Sequence, residues 1–429
     1  MKISNYVLLF ERQGNHFVYN TQTLSLLKID VELYKIIKEA KQTNCFDQIS
    51  PDIITFLKSK EIIDTINNNH AKDFIKKMEY NKRLKSFKGK TLSLAIAPTL
   101  ACNFACPYCY EKNLPLTHMK KEVEDGIINF INSFKDQCDS LEICWEGGEP
   151  LLAFQQIQSL QNKINLHSLL PLTHQSIITN GYLLTENICE YFATTKLNFA
   201  QITIDGNATT HNKSRILKSG LPTYNKIMEN IEMLSNILPS CLIVVRTNIH
   251  KENKNEFGIL YKELKAKWID RNIKLYPAFV QPNENCKVTC CTPKDKSEFY
   301  LNLKRNHDIK NINFVPKHKL GSCSATNENS YLIDPEGYLY KCWNDIGLTE
   351  RRVGSVFEGI TNNTLIAKYI IGSDKYTDSN CLSCSLFPIC DGGCNRHRMD
   401  NIEQNTCYNL CPFDENGIEE YLYEYYKSK

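Results

Sequence analysis

Between Thr91 and about Phe279 the sequence switches six times between a short run of β-branched, aromatic and aliphatic residues and a longer stretch with apolar residues at helical spacing. The strand-like runs are LSLAIA, LEICW, SIITN, AQITI, LIVVRTN and IKLYPAF. The intervening helical stretches are KEVEDGIINFINSF, LLAFQQIQSLQNKI, a segment starting at Thr185, TYNKIMENIEMLSNI and NEFGILYKELKAK. Strands separated by helices cannot pair as hairpins. Each needs a crossover, and crossovers produce a parallel sheet covered by helices. Six units fall short of a closed eightfold ring, so the pattern predicts an α/β fold built on a partial (β/α)6 TIM-like barrel over residues 91–285.

Functional groups on such sheets gather where strands end and loops begin. The first strand runs into CNFACPYCYEK, with Cys102, Cys106 and Cys109 in C-x3-C-x2-C spacing. Gly147-Gly148-Glu149-Pro150 follows the second strand, Thr179-Asn180-Gly181 the third and Asp205-Gly206 the fourth, so all four motifs share one rim. Three thiolates on one loop suit a 4Fe–4S cluster, which normally takes four cysteines, so one iron is left free for a non-protein ligand. Zinc would need a fourth ligand, and the loop has no His and no further Cys. Asn180 and Asp205-Gly206 read equally well as turn residues, and GGEP alone as a strand-to-helix turn.

The 42% apolar and 23% charged content is that of a globular protein, and at 429 residues two or three domains are expected. A net charge of +3 without an isolated lysine block gives no support for nucleic-acid or membrane binding. The N-terminal apolar stretch is interrupted by Glu11 and Arg12 and does not read as a secretion signal; no run of apolar residues is long enough for a transmembrane helix. A cytoplasmic location is therefore expected, where 19 cysteines point to metal clusters rather than disulfides.

Residues 1–85 open with YVLLFER and HFVYNT joined by Gln-Gly-Asn, a hairpin signal, followed by DVELYKIIKEA and SPDIITFLKSKEII at helical spacing. The order suggests a winged-helix-like module, or an extension that packs on the main domain. Beyond about Cys286 the alternation stops and cysteines crowd in. YLIDPEGYLYKC reads as a hairpin turning at Pro335-Glu336-Gly337, and residues 286–429 are expected to form a bridging segment and a small metal-stapled domain.

The triplet Cys102/Cys106/Cys109, with Tyr108 before its last cysteine and GGEP after the second strand, resembles the radical S-adenosylmethionine (SAM) enzymes. The C-terminal run resembles their SPASM extension: Cys323, Gly337, Cys342, then Cys381, Cys384, Cys390 and Cys394, and finally Cys407 or Cys411. Taken alone, C-x2-C-x5-C-x3-C also suits zinc. The resemblance covers roughly residues 91 to 429 and implies one SAM-binding and two auxiliary 4Fe–4S clusters. It implies that SAM chelates the open iron of the first cluster and that reductive cleavage yields a 5′-deoxyadenosyl radical. Gly147 and Gly148 would then let backbone approach the methionine part, Pro150 would fix the turn, and Glu149 would accept from the ammonium. Thr203 and Arg215 match positions that contact ribose and carboxylate, and Tyr108, Asn180 and Asp205 complete the expected SAM site. One auxiliary cluster would use Cys323, Cys342 and Cys394, with Cys286, Cys290 or Cys291 as a fourth ligand or an open iron; the other would use Cys381, Cys384, Cys390 and Cys411. Cys290-Cys291 read equally as loop thiols or a labile redox pair.

Relatives of this kind act on peptides or proteins. Sulfatase-maturing members carry Asp directly after the second cysteine of the first auxiliary cluster, whereas here Trp343 follows Cys342 and Asp345 comes later. KCW and the N-terminal module look more like maturases of ribosomally made peptides, in which an edge strand pairs with the leader peptide. The resemblance thus implies an enzyme that crosslinks a precursor peptide, with a thioether as the expected bond and a flavodoxin- or ferredoxin-type electron donor. The alternatives are formylglycine formation and a non-catalytic peptide-binding relative.

Overall fold

The computed structural model describes every residue except 48, 65–69, 113, 284, 310–316, 322 and 429. The chain divides into two compact units: residues 1–88, 313–326 and 367–429 form one, and residues 89–312 and 327–366 the other.

In the first unit, β1 (Lys2–Ile3) pairs with β5 (Ile63–Asp64), and β2 (Val7–Arg12), β3 (Asn15–Asn20) and β4 (Ser25–Ile29) form an antiparallel meander with β3 in the centre. Gln13 and Gly14 turn the first hairpin at φ 50° and 71°, a left-handed pair that fits the twist of two antiparallel strands. The third strand, β4, is absent from the sequence expectation because SLLKI is too short to show alternation. The meander sorts its side chains by parity. Val7, Leu9, Val18 and Leu27 pack on α1 (Val31–Thr43) and α2 (Pro51–Ser59) through Ile37, Ala40 and Leu57. Leu8, Phe10, Phe17 and Tyr19 pack on the C-terminal helix Glu415–Lys427 through Ile418, Leu422 and Tyr423, where Arg12 also reaches Glu419 at 2.7 Å and Glu420 at 3.0 Å. Asp30 and Ser50 cap α1 and α2, each accepting from a backbone N–H three residues on. α3 (His70–Phe87) completes the N-terminal part.

The second unit holds a ten-stranded sheet. Its parallel part is β6 (Thr91–Thr99), β7 (Ser140–Gly147), β8 (Leu172–Thr179), β9 (Phe199–Thr203), β10 (Leu242–Ile249) and β11 (Ile273–Phe279), neighbours in chain order. Between them run α4 (Lys121–Asn132), α5 (Phe154–His167), α6 (Glu186–Thr194), α7 (Ala208–Ser214), α8 (Tyr224–Ile237) and α9 (Phe257–Lys267); α10 (Pro293–His307) follows β11. All six expected strands are present. The large, mostly parallel sheet is the architecture of a partial barrel.

The remaining strands enter from far along the chain. β12 (Ser330–Ile333) lies parallel to β6, with Ser330 opposite Ser93 and Ile333 opposite Ile96. It turns through Pro335-Glu336-Gly337 into β13 (Tyr338–Tyr340), and β14 (Gly354–Ser355) and β15 (Gly359–Ile360) follow. The expected hairpin is therefore present, but it extends the barrel sheet. Residues 286–429 accordingly do not form one body: 327–366 belong with the barrel and 367–429 with the N-terminal module. The reason is edge satisfaction, because an open parallel sheet exposes unpaired backbone along β6 and β12 covers it. Among the described residues no helix is long and apolar enough to cross a membrane.

In the first unit, the buried Lys375 donates its Nζ to the carbonyls of Lys319 (2.6 Å), Phe387 (2.9 Å) and Cys390 (2.7 Å). Burial lowers its pKa to about 8. Lys375→Met keeps the stem and strands three carbonyls, so thermal or urea unfolding should show a loss of about 3 kcal/mol.

Candidate radical-initiating site

Cys102, Cys106 and Cys109 occupy the loop that leaves β6, and that loop is held on two sides. Ala105 N–H donates to Ile216 O (2.9 Å) and Lys218 N–H to Asn103 O (2.9 Å), so the loop pairs like a strand with the segment after α7. On the other side, Gly148 N–H donates to Thr99 O (3.2 Å) and Glu149 N–H to Ala101 O (2.8 Å). A Cβ on Gly147 would stand 2.4 Å from Thr99 O, and one on Gly148 2.3 Å from Ala101 O. Both glycines are therefore required by the approach of two rim loops, a reason independent of the SAM contact that the resemblance implies.

Glu149 is fully buried and its carboxylate has protein partners. Oε1 accepts from Thr179 Oγ1 (2.7 Å) and Leu151 N–H (3.1 Å), and Oε2 from Asn180 N–H (2.7 Å). Its side chain thus joins the ends of β7 and β8; burial raises its pKa while these hydrogen bonds oppose the rise. Asn180 continues the link by donating from Nδ2 to Asn103 Oδ1 (2.7 Å). Pro150 is buried at the start of the single 3-10 turn after Glu149.

Tyr108 joins the loop to the fourth and fifth strands. Its hydroxyl donates to Asp205 and accepts from Arg215 Nη1 (3.0 Å) and Asn248 Nδ2 (3.2 Å). The other Asp205 oxygen accepts from Asn248 N–H (2.8 Å). Burial raises the Asp205 pKa, and Arg215 works against that rise. Arg215 is itself buried; its guanidinium lies 5.4 Å over the Phe104 ring, and its Nε has no partner among the described residues. Thr203 ends β9 in register with Arg246 on β10. Asn248, which the sequence reading passed over, stands at the end of the fifth strand. The rim rule applied to strands one to four would have found it in LIVVRTN.

Burial is the larger cause of the raised thiols, with Cys102 pushed up to about 11 and Cys109 to about 12, and Cys106 adds to the rise at both. Arg215 pulls Cys102 and Cys106 the other way. Thiols held protonated at neutral pH would release their protons to solvent on binding iron, and a buried cation favours the resulting thiolates. The donor set therefore fits an iron–sulfur cluster. The unpaired Arg215 Nε fits an anionic group beside it, as a carboxylate would be.

In the first unit, beyond the larger effect of burial, Cys381 raises the Cys390 thiol, Cys411 raises Cys381 and Cys384 raises Cys411. Cys323 likewise raises Cys394. Cys342 lies in the other unit, two residues after β13. Among the described residues no three His, Cys, Asp or Glu side chains close on a single metal ion.

Residues 96–264 match the radical SAM superfamily. The chain is 23% identical over 373 residues to a cysteine-type anaerobic sulfatase-maturating enzyme of Clostridium novyi, covering 78% of this chain and 97% of the relative. It is 23% identical over 448 residues to the radical SAM cyclopropyl synthase TigE of Paramaledivibacter caminithermalis, covering 91% and 89%. Two solved structures share the fold. They are anSMEcpe with bound AdoMet and the Cp18Cys peptide (TM-score 0.60, 19% identity, 78% of this chain and 98% of that one) and Streptococcus suis SuiB bound to the precursor peptide SuiA (0.51, 16%, 92% and 95%).

Gly148→Ala drives a Cβ into two carbonyls and should cost about 1–3 kcal/mol in chemical denaturation; iron retained after reconstitution should fall with it. A second expectation concerns His211, buried behind Asp205, whose Nδ1 accepts from Asp205 N–H (3.2 Å) and whose Nε2 meets Thr223 Oγ1 (3.1 Å). Burial, with help from Arg215, depresses its pKa from 6.5 to about 3. Between those values the unfolded chain binds a proton that the folded chain refuses, so stability is complete above 6.5 and falls as pH drops toward 3. The slope is up to about 1.4 kcal/mol per pH unit. His211→Gln should flatten that part of the stability–pH curve measured by denaturant titration.

Proposed function

Since this chain is a radical SAM enzyme, with the superfamily's domain over residues 96–264, we propose that it matures a ribosomally made precursor peptide. It takes a hydrogen from the peptide and installs a crosslink, in the first instance a thioether. The observation that carries this reading is the alignment with TigE across 91% of the chain, beside the likeness to a sulfatase-maturating enzyme over 78% of it. SuiB, which shares the fold over 92% of this chain, was solved with a precursor peptide.

Bound together, a 4Fe–4S cluster and SAM supply the reducing electron and the 5′-deoxyadenosyl radical. Cys102, Cys106 and Cys109 hold three irons of that cluster. Arg215 would orient the SAM carboxylate through its unpartnered Nε, while Tyr108 and Asp205 hold the guanidinium in place. Thr203 would contact the ribose, and the Gly147-Gly148 backbone would border the methionine part. Cys381, Cys384, Cys390 and Cys411 would hold one auxiliary cluster, and Cys323 and Cys394 would contribute to another. A flavodoxin- or ferredoxin-type protein delivers the electron.

Leader recognition belongs to the meander of the first unit, by strand addition. Within the meander β3 (HFVYNT) is paired on both sides, so the open edges are β2 (YVLLFER) and β4. β4 is open on one side and its residues are mostly half-exposed, so the leader adds beside β4. Formylglycine formation is the weaker reading, because Trp343 follows Cys342 and Asp345 is fully buried in a single turn.

Reconstituted enzyme with SAM and a strong reductant should remove two hydrogens from the cognate precursor, with tandem mass spectrometry placing a new bond at a cysteine sulfur. An unchanged precursor mass alongside active SAM cleavage would sink the crosslinking reading. Cys102→Ala should abolish release of 5′-deoxyadenosine.

A further inference from the structure

Cys286 and Cys290 lie on the segment between β11 and α10, and the site as described does not use them. Their sulfurs are 3.9 Å apart, and both residues are partly buried. The chain turns back here, since Cys286 Sγ also lies 3.5 Å from Val288 O. Cys291 differs: it is buried in an apolar cluster with Ile249, Phe257, Phe299 and Leu303, and is structural.

The short segment between the two thiols is clamped at both ends. Lys287 N–H donates to Pro107 O at 2.8 Å, directly beside Cys106. Asn283 Nδ2 adds a bond to Tyr108 O at 3.3 Å. Opposite, Thr289 O accepts from Lys251 N–H at 2.9 Å, and Thr289 N–H donates to Glu252 Oε1 at 3.4 Å. Any contraction between residues 286 and 290 is therefore transmitted to the loop that carries the initiating cysteines.

We propose that Cys286 and Cys290 form a reversible disulfide that acts as a thiol–disulfide switch on the initiating loop, and that they are not cluster ligands. The oxidant is a low-molecular-weight disulfide of the glutathione type. In the exchange its S–S bond breaks and the Cys286–Cys290 bond forms. The two protein sulfurs are oxidised by two electrons, the incoming disulfide is reduced, and the two thiol protons leave on the two released thiols. Closure brings the sulfurs from 3.9 Å to roughly 2.0 Å. That shortening draws Lys287 away from Pro107 and loosens the loop around Cys106. Burial and, second to it, the neighbouring Cys286 push the Cys290 thiol up to about 12, so that thiol is protonated at neutral pH.

The test uses full-length protein with its clusters reconstituted under anaerobic conditions and exposed to glutathione disulfide. Alkylation and peptide mapping should find Cys286 joined to Cys290 with iron content unchanged. SAM affinity by equilibrium dialysis, without reductant or peptide, should weaken by about fivefold and recover with dithiothreitol. Cys290→Ser, and Cys286→Ser as a second variant, should keep full iron and the affinity of the reduced enzyme and ignore glutathione disulfide. Free alkylation of both cysteines after oxidation overturns the proposal, as does iron loss in either variant. A disulfide that leaves SAM affinity unmoved overturns the coupling. No readout involves a precursor peptide, so failure here is separate from failure of the peptide-maturation reading.

Discussion

The second unit depends on one buried polar knot. Tyr108, Asp205, Arg215 and Asn248 bring a phenol, a carboxylate, a guanidinium and an amide together at the carboxyl ends of β9 and β10, mostly out of reach of water. Each member is costly to bury alone; together they satisfy one another, apart from Arg215 Nε. The knot fixes the cysteine loop against the strand ends and leaves one cation beside three thiols. Without it the loop would be attached to the barrel mainly by backbone hydrogen bonds at its flanks.

A second link works from the other side. Glu149 joins the ends of β7 and β8 through Thr179 and Asn180, while its own N–H holds Ala101 O. The motifs after the first four strands, separate words in the sequence, are thus members of one hydrogen-bonded rim. The same groups serve packing and chemistry. Gly147 and Gly148 are small because loop backbone lies against them, and that close approach sets the position of the peptide groups beside the cysteines.

Much of this was legible in the sequence. The period of the apolar residues gave six strands and their order, since parallel strands joined by helices tend to lie beside their neighbours in the chain. Three features were not legible. β4 is short and only half-buried, so its pattern is weak. Asn248 looks like any residue at a strand end. The pairing of β12 with β6 joins residues more than 200 positions apart and leaves no local trace.

By itself the sequence determined the parallel sheet, the loop that carries Cys102, Cys106 and Cys109, and the rim on which the motifs gather, because strand period, crossover length and ligand spacing are local properties. Only the tertiary structure decided that residues 327–366 extend the barrel sheet while residues 367–429 join the N-terminal module. The same holds for the burial of Arg215 beside the thiols, which no local pattern in the sequence reveals. Edge pairing and charge burial depend on which distant segments meet, and that is set by the balance of desolvation and hydrogen bonding across the whole fold.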